Sequence, residues 1–418
     1  MTLGDITVAA IGQADDTVLV SNDVHNIQNL LDLSLDFCSK YHVQLCVDKT
    51  KLQVTASKEL DSLVDYQKAT SPVNISGKKI PFVDSVDHVG ILRSSSGNLP
   101  SVLRQITAHK RQLGSILHTG IARGHHGNPA ASLRVQRIYG LPVLMSGLGT
   151  LVLNKPEKDI INQHYKVTLE NLMRLHKSTP ECVVYFLSGS LPGIALLHLR
   201  QLSLLGMVTR LQGSILHTHA LNVYRRGKAS SRSWFFQLRD ICLKYSLPHP
   251  STLLECPLTK LAFKNLTKKA VISFWEKKLR DDAKSLKSLE YFRPEFMSLS
   301  IPHPIWLTAK SSSYEVIKAT VQAKILSGRY RTELLSKHWS TNRSGYCLLP
   351  SCNAQIEDLA HILVSCPSLN HIRTNLLHFT KQYLTQIPED ALQQIPTLPH
   401  LQVLSSWTSC LIAPLFPL

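Results

Sequence analysis

A change in the spacing of apolar residues near Gly97 decides which fold classes are open to this chain. Before the Ser-rich break at residues 94–98, apolar residues come in short β-branched runs separated by turns, which is typical of strands and hairpins. After the break, they recur at helical intervals, first over residues 99–117. We therefore predict a small α+β region followed by a mostly α-helical one.

The first region contains the signals of two hairpins and one helix. The apolar runs at residues 6–11 and 17–20 flank an acidic turn and predict a hairpin. Asn22 or Asp23 can cap a helix that ends near His42. A strand at residues 52–55 and a second hairpin over residues 73–83 complete the predicted α+β region.

The charge and composition of the chain narrow the function classes. Lys and Arg number 46 against 29 Asp and Glu, so the formal net charge of +17 suits a polyanionic partner such as nucleic acid. Hydrophobic residues make up 44%, which excludes general disorder. No run of 18 apolar residues occurs, so we expect no membrane span. The nine cysteines are mostly isolated, which favours a reduced thiol inventory with one metal site over a disulfide framework.

Two adjacent carboxylates, Asp15 and Asp16, lie at the turn of the first predicted hairpin. Carboxylate oxygens at such a tip can hold hard divalent cations, as metal-assisted phosphoryl transfer requires. A bare Asp-Asp pair, however, is more often an ordinary turn. Both interpretations stay open on the residues alone.

Four potential zinc ligands lie within 20 residues near the C-terminus. Cys347, Cys352, His361 and Cys366 have the spacing Cys-x4-Cys-x8-His-x4-Cys. Tetrahedral Zn²⁺ takes four such ligands, and two short-range pairs joined by a loop can supply them. The alternative is a chance group of buried thiols.

A lysine-rich segment predicts an amphipathic basic helix. Its lysines alternate with apolar residues from Leu261 to Trp275, so the helix can track phosphates; a plain solvated face is equally consistent. The lysines are Lys260, Lys264, Lys268, Lys269, Lys277 and Lys278.

Several segments resemble, in order, the motifs of reverse transcriptases. Residues 11–20, with their Ala-Asp-Asp core, resemble the catalytic hairpin; residues 43–52, with Lys49-Thr50-Lys51, resemble the motif that follows it; residues 86–91 resemble the hairpin that grips the primer end. Residues 139–148 resemble the thumb of non-LTR (LINE-type) retrotransposon polymerases. Residues 323–332 and 357–367 resemble the C-terminal Cys/His region of the same retrotransposon proteins.

The resemblance implies an RNA-directed DNA polymerase with an α+β palm remnant, a helical thumb and a zinc-knuckle-like module. In that scheme Asp15 and Asp16 are ligands of Mg²⁺. Lys49, with Lys51 as the alternative, would neutralise or protonate the leaving pyrophosphate. The implied domains are a partial palm (1–95), a thumb-like region (96–225), a basic helical connector (226–340), the Cys/His zinc module (341–370) and a tail (371–418).

The family's polymerases need a further carboxylate on an earlier palm strand, whereas 14 residues precede Asp15 here. We therefore expect the C-terminal part of such an enzyme, truncated within the palm and inactive alone. The alternative is a non-catalytic nucleic-acid-binding module that uses the basic helices and the zinc site. The implied partners are an RNA template and a DNA primer or target, and the implied location is nuclear or cytoplasmic.

Overall fold

The computed structural model describes most of the chain, and within that part the protein is mostly helical with a few small strand pairs. The described residues are 2–3, 6–13, 15–21, 23–54, 73–118, 127–226, 233–289, 292–309, 312–338, 340–353 and 355–374. Residues 375–418, which form most of the predicted tail, lie outside them. The coarse prediction of a small α+β region followed by a helical one is confirmed.

The strands and helices have the following bounds. The strands are β1 (Thr2–Leu3), β2 (Ile6–Thr7), β3 (Ala10–Gln13), β4 (Asp16–Leu19), β5 (Asn74–Ile75), β6 (Lys78–Lys79), β7 (Ser85–His88) and β8 (Ile91–Ser94). The helices are α1 (Val24–Lys40), α2 (Leu99–His118), α3 (Pro129–Val135), α4 (Leu141–Leu144), α5 (Lys155–Met173), α6 (Glu181–Ser188), α7 (Gly193–Arg210), α8 (Ile215–Arg226), α9 (Trp234–Lys244), α10 (Pro250–Glu255), α11 (Lys260–Lys284), α12 (Pro304–Thr308), α13 (Ser313–Leu326) and α14 (Glu333–Lys337).

The described strands pair as four separate antiparallel hairpins. In the first predicted hairpin, β3 pairs with β4 so that Ala10 lies opposite Leu19 and Gln13 opposite Asp16. The upstream strand therefore begins later than the apolar run predicts, because Ile6–Thr7 pairs back with Thr2–Leu3 instead. The predicted strand at 52–55 is reduced, in its described part, to a single parallel bridge between Leu52 and Phe82.

A small apolar core holds the first region together. Asp23 caps α1 by accepting a 2.7 Å hydrogen bond from the N–H of Asn26, and the helix ends at Lys40, two residues before the predicted end. The buried residues of this core are Leu31, Val73, Ile75 and Ile80, with Leu19, Ile27, Leu35, Val47 and Leu52 packed around them. The β3–β4 hairpin, α1 and the β5–β6 hairpin therefore share one core.

The chain divides into two compact units, each built from non-contiguous segments. The first unit comprises Met1–Arg111, Leu141–Ile161 and Ile194–Val271, and the second comprises Gln112–Gly140, Asn162–Gly193 and Ile272–Leu418. Within the first unit, the buried His198 imidazole lies against Tyr245, with 2.7 Å between Nδ1 and the Tyr245 hydroxyl. The boundaries predicted from the sequence stay a prediction.

The second unit contains α6, whose residues from Cys182 to Ser188 are all buried. The carbonyl of Leu187 accepts hydrogen bonds from the Trp306 indole at 3.0 Å and from the His303 backbone at 3.1 Å. Gly189 ends the helix with a φ of 60°. No single described helix is long and apolar enough to cross a membrane, although α6 and α7 pass the length and composition test as a bent pair.

The lysine-rich helix α11 buries a stripe of residues spaced four apart. Because four residues turn an α-helix by about 400°, this stripe winds around the helix by about 40° at each step. The stripe consists of Phe263, Thr267, Val271, Trp275, Leu279 and Ala283. All six predicted lysines are exposed.

Candidate metal centre

Four side chains of the second unit meet at one point. The ligand atoms of Cys347, Cys352, His361 and Cys366 all lie within 4.8 Å of one another. The sulfurs of Cys347 and Cys366 are 3.9 Å apart, and the sulfur of Cys352 is 3.4 Å from Nε2 of His361. Tetrahedral Zn²⁺ with bonds of about 2.3 Å to sulfur and 2.0 Å to nitrogen requires separations of about 3.8 Å and 3.5 Å. The cluster can therefore hold a metal ion such as zinc.

A short hairpin carries the first two cysteines. Tyr346 forms an antiparallel bridge with Ile356, and the N–H of Cys347 donates to the carbonyl of Gln355 at 2.8 Å. Ser351 has a φ of 65° and turns the chain so that Cys352 faces Cys347. Extended backbone on one side and a left-handed turn on the other thus bring the first ligand pair together.

A π-helical turn, from His361 to Ser365, carries the second ligand pair. The N–H of Cys366 donates to the carbonyl of His361 at 2.8 Å, which is the i→i+5 bond of such a turn. In an α-helix, five residues would place the two side chains about 140° apart. Asp358 fixes the start of the turn by accepting from the N–H of His361 at 2.6 Å. The wider turn is therefore what aligns His361 and Cys366 as ligands.

The imidazole orientation suits metal binding through Nε2. Nδ1 of His361 lies 3.3 Å from the hydroxyl of Ser365, so Nδ1–H can donate there while Nε2 carries its lone pair to the metal. Sequence analysis gave no role to Asp358 or Ser365. The signal for Asp358 was its position three residues before His361, which is the spacing of a helix cap.

The environment of the Cys347 thiol opposes its ionisation when no cation is present. Burial, together with smaller effects of the neighbouring Cys352 and Cys366, raises the pKa of Cys347 to about 12. Cys347, His361 and Cys366 are each at most 5% exposed. A divalent cation reverses this balance because it stabilises thiolates directly. Four protein ligands leave no open position, so the site fits a structural rather than a catalytic metal.

The sequence-predicted catalytic residues lie in the first unit, about 300 residues before this cluster in the sequence. Asp15 is in the turn between β3 and β4, and Asp16 is the first residue of β4; both are exposed, while Ala14 lies outside the described residues. Lys49 is exposed in a turn in which its N–H donates to the carbonyl of Cys46. Among the described residues, Asp15 and Asp16 belong to no group of three or more potential metal ligands. The Mg²⁺ site stays a prediction.

Comparisons with known proteins assign this chain to no family. No family model matches the chain, and no curated protein or solved structure matches it.

Proposed function

We propose that this chain binds RNA or DNA through the exposed lysine face of α11, and that zinc at the Cys/His cluster orders its C-terminal module. In this proposal the chain corresponds to the C-terminal part of a LINE-type reverse transcriptase. Its immediate activity is then nucleic-acid binding, with an RNA template and a DNA primer or target as partners.

The observation that carries the proposal is the uncompensated charge on the first half of α11. Lys260, Lys264 and Lys268 are exposed and spaced four residues apart, which sets them about 6 Å apart along the helix. No acidic residue occurs between residues 256 and 275. The side chains of Phe263 and Thr267 are buried on an adjacent face of the same turns, about 80° around the helix, and anchor those turns. A fixed row of ammonium groups without carboxylates is suited to a phosphate backbone.

The second half of α11 is charged differently and provides an internal control. Asp281 lies four residues after Lys277 and three before Lys284, so both lysines have a carboxylate within one turn. Glu276 is occupied elsewhere, because it accepts hydrogen bonds from Arg280 and from the N–H of Leu299. We therefore expect the second half of the helix to contribute less to phosphate binding.

The test compares two double variants of the full chain. Lys264→Gln/Lys268→Gln should weaken binding of labelled single-stranded RNA and duplex DNA, and should reduce the slope of log K against log salt by about 1.4–1.8. Lys277→Gln/Lys284→Gln removes the same charge and should change the slope much less. Fluorescence anisotropy at three salt concentrations measures both. A flat salt dependence of the wild type, or equal losses in the two variants, contradicts the proposal.

The second candidate function is RNA-directed DNA polymerisation. The observation that favours it is the β3–β4 hairpin with Asp15 and Asp16 at its turn, in the position that the resemblance gives to Mg²⁺ ligands. Members of a catalytic unit fail together, and the described residues bring no third carboxylate to these two. Polymerisation is therefore the weaker candidate for this chain.

A further inference from the structure

One buried cation, seven residues after the last cysteine of the Cys/His cluster, has no ion-pair partner among the described residues. Arg373 is 5% exposed and lies in a helical stretch, residues 370–374, that follows the last cysteine. Its Nη2 donates to Oδ1 of Asn370 at 2.9 Å, while the buried Nη1 has no hydrogen-bond partner among the described residues. An arginine stays charged in proteins, and burying that charge without a partner is costly.

The neighbour that acts electrostatically on this guanidinium is a cluster cysteine. Burial lowers the pKa of Arg373, and the charge of Cys366 raises it. Cys366 is itself fully buried, so little solvent can screen the two groups from each other. The positive charge of Arg373 and the Cys366 thiolate therefore interact with little screening by solvent.

The net charge of the metal-bound cluster can explain why a buried arginine without an ion-pair partner lies here. A divalent cation with three thiolates and one neutral imidazole carries a net charge of −1, and such a charge is unfavourable in a buried setting. We propose that Arg373 is the counter-charge of the metal centre, making the loaded cluster neutral and thereby raising its affinity for Zn²⁺. The inference deepens the proposed function and rests on the metal centre that it includes.

The test measures metal affinity in the full chain at one fixed pH near neutrality. Arg373→Gln keeps a polar side chain but removes the charge, and should weaken Zn²⁺ binding about 10- to 100-fold in competition with a chromophoric chelator. Arg373→Lys keeps the charge and should stay within about threefold of the wild type. Because the counter-charge is buried, the difference between the two variants should persist from about 0.05 to 0.5 M salt.

Arg343→Gln is the matched control. Arg343 lies in the same region but is 41% exposed and already paired with Glu333 at 2.6 Å, so its loss should leave the Zn²⁺ affinity unchanged. Co²⁺ absorption provides a second readout, because the ligand-field bands report the donor set. Those bands should be the same in the wild type and in Arg373→Gln, which separates a lost counter-charge from a lost ligand.

The outcomes distinguish this inference from the proposed metal centre. Unchanged affinity in Arg373→Gln, an equal loss in Arg373→Lys, an equal loss in Arg343→Gln, or altered Co²⁺ bands in Arg373→Gln would each overturn the role of Arg373 while leaving the metal site in place. Failure of the wild-type chain to bind Zn²⁺ or Co²⁺ would overturn the metal centre itself, and with it the need for a counter-charge.

Discussion

The sulfur of Cys347 lies 3.9 Å from that of Cys366, although 19 residues separate them in sequence. The segment between them makes a hairpin and one π-helical turn, and has few buried apolar side chains apart from Leu363. A module of this size cannot be stabilised by such a core alone. A metal ion bound by both cysteines would therefore stabilise this long-range contact, and with it the fold of the module.

Replacing one ligand should unfold this module locally. Structural zinc contributes about 10 kcal/mol or more to small modules, so Cys352→Ser should abolish stoichiometric zinc and speed amide hydrogen exchange over residues 345–366. Exchange in the β3–β4 hairpin should stay unchanged. Cys256→Ser is the control, because Cys256 is exposed and lies outside the cluster. Retention of zinc and of protection in Cys352→Ser would show that the cysteines are ordinary buried thiols.

Gly189 should tolerate no side chain. A Cβ there would approach the carbonyl carbon of Ile301 to 2.1 Å, whereas a Cβ at Gly213 would meet nothing within 4 Å although both glycines have positive φ. Gly213→Ala should cost about 1 kcal/mol through its backbone conformation alone, and Gly189→Ala more than about 3 kcal/mol because backbone must move. Urea denaturation followed by circular dichroism compares them. Equal midpoints would refute the clash.

The β7–β8 hairpin should gain stability from a better turn residue. Val89 and Gly90 both have positive φ, 53° and 73°, which is the type I′ turn that prefers Asn-Gly. A β-branched residue is strained there, and Val89 is 44% exposed, so little packing would be lost. Val89→Asn should therefore stabilise the protein by about 1 kcal/mol, while Val89→Ile should not. Thermal unfolding of both variants checks this, and a loss in Val89→Asn contradicts it.

Stability should fall in acid because His198 is buried in its neutral form. Burial, with smaller contributions from Lys244 and Lys158, lowers the pKa of His198 from 6.5 to about 3. Between about pH 6.5 and pH 3, His198 binds a proton in the unfolded chain but not in the folded one. The stabilisation that results from keeping His198 neutral is therefore complete above pH 6.5, and it decreases by about 1.4 kcal/mol per pH unit as the pH falls towards 3. His198→Asn keeps an acceptor for Tyr245 but cannot titrate. Its free energy of unfolding should therefore depend less steeply on pH in that range, and an identical slope would exclude the histidine.

Purified chain should not extend a primer on an RNA template with Mg²⁺ and dNTPs. The expectation follows from the resemblance, which requires a further carboxylate beside Asp15 and Asp16, together with the absence of such a group among the described residues. Asp15→Ala is the matched variant. Incorporation by the wild type that disappears in Asp15→Ala would make the polymerase the better proposal.

Features that depend on the spacing of ligands could be predicted from the sequence, whereas features that depend on packing could not. The four ligands could be named in advance because zinc demands few residue types at short spacings. The π-helical turn could not be predicted, because the five residues His361–Ser365 are too few for the spacing of apolar residues to distinguish i→i+5 from i→i+4 hydrogen bonding. Arg373 gave no signal, because its significance depends on its burial and on its electrostatic interaction with Cys366.

A repeated hexapeptide also shows that local sequence does not determine backbone conformation by itself. The residues Gly-Ser-Ile-Leu-His-Thr occur at 114–119 and again at 213–218. In the first copy Gly114 lies inside α2, whereas in the second Gly213 has a φ of 78° and α8 begins only at Ile215. Identical local sequence therefore adopts two backbone conformations, because the surrounding packing overrides a weak helix propensity.

Because of the π-helical turn, the number of residues between His361 and Cys366 is more tightly constrained than their identity. Between His361 and Cys366, Val364 is 67% exposed, so side chains of different size and polarity fit there without touching the cluster. Removing or adding a single residue rotates Cys366 by about 100° relative to His361 and carries its sulfur away from the other three ligands. Among divergent copies of this module, gaps and insertions between these two positions should consequently be far rarer than substitutions at Val364.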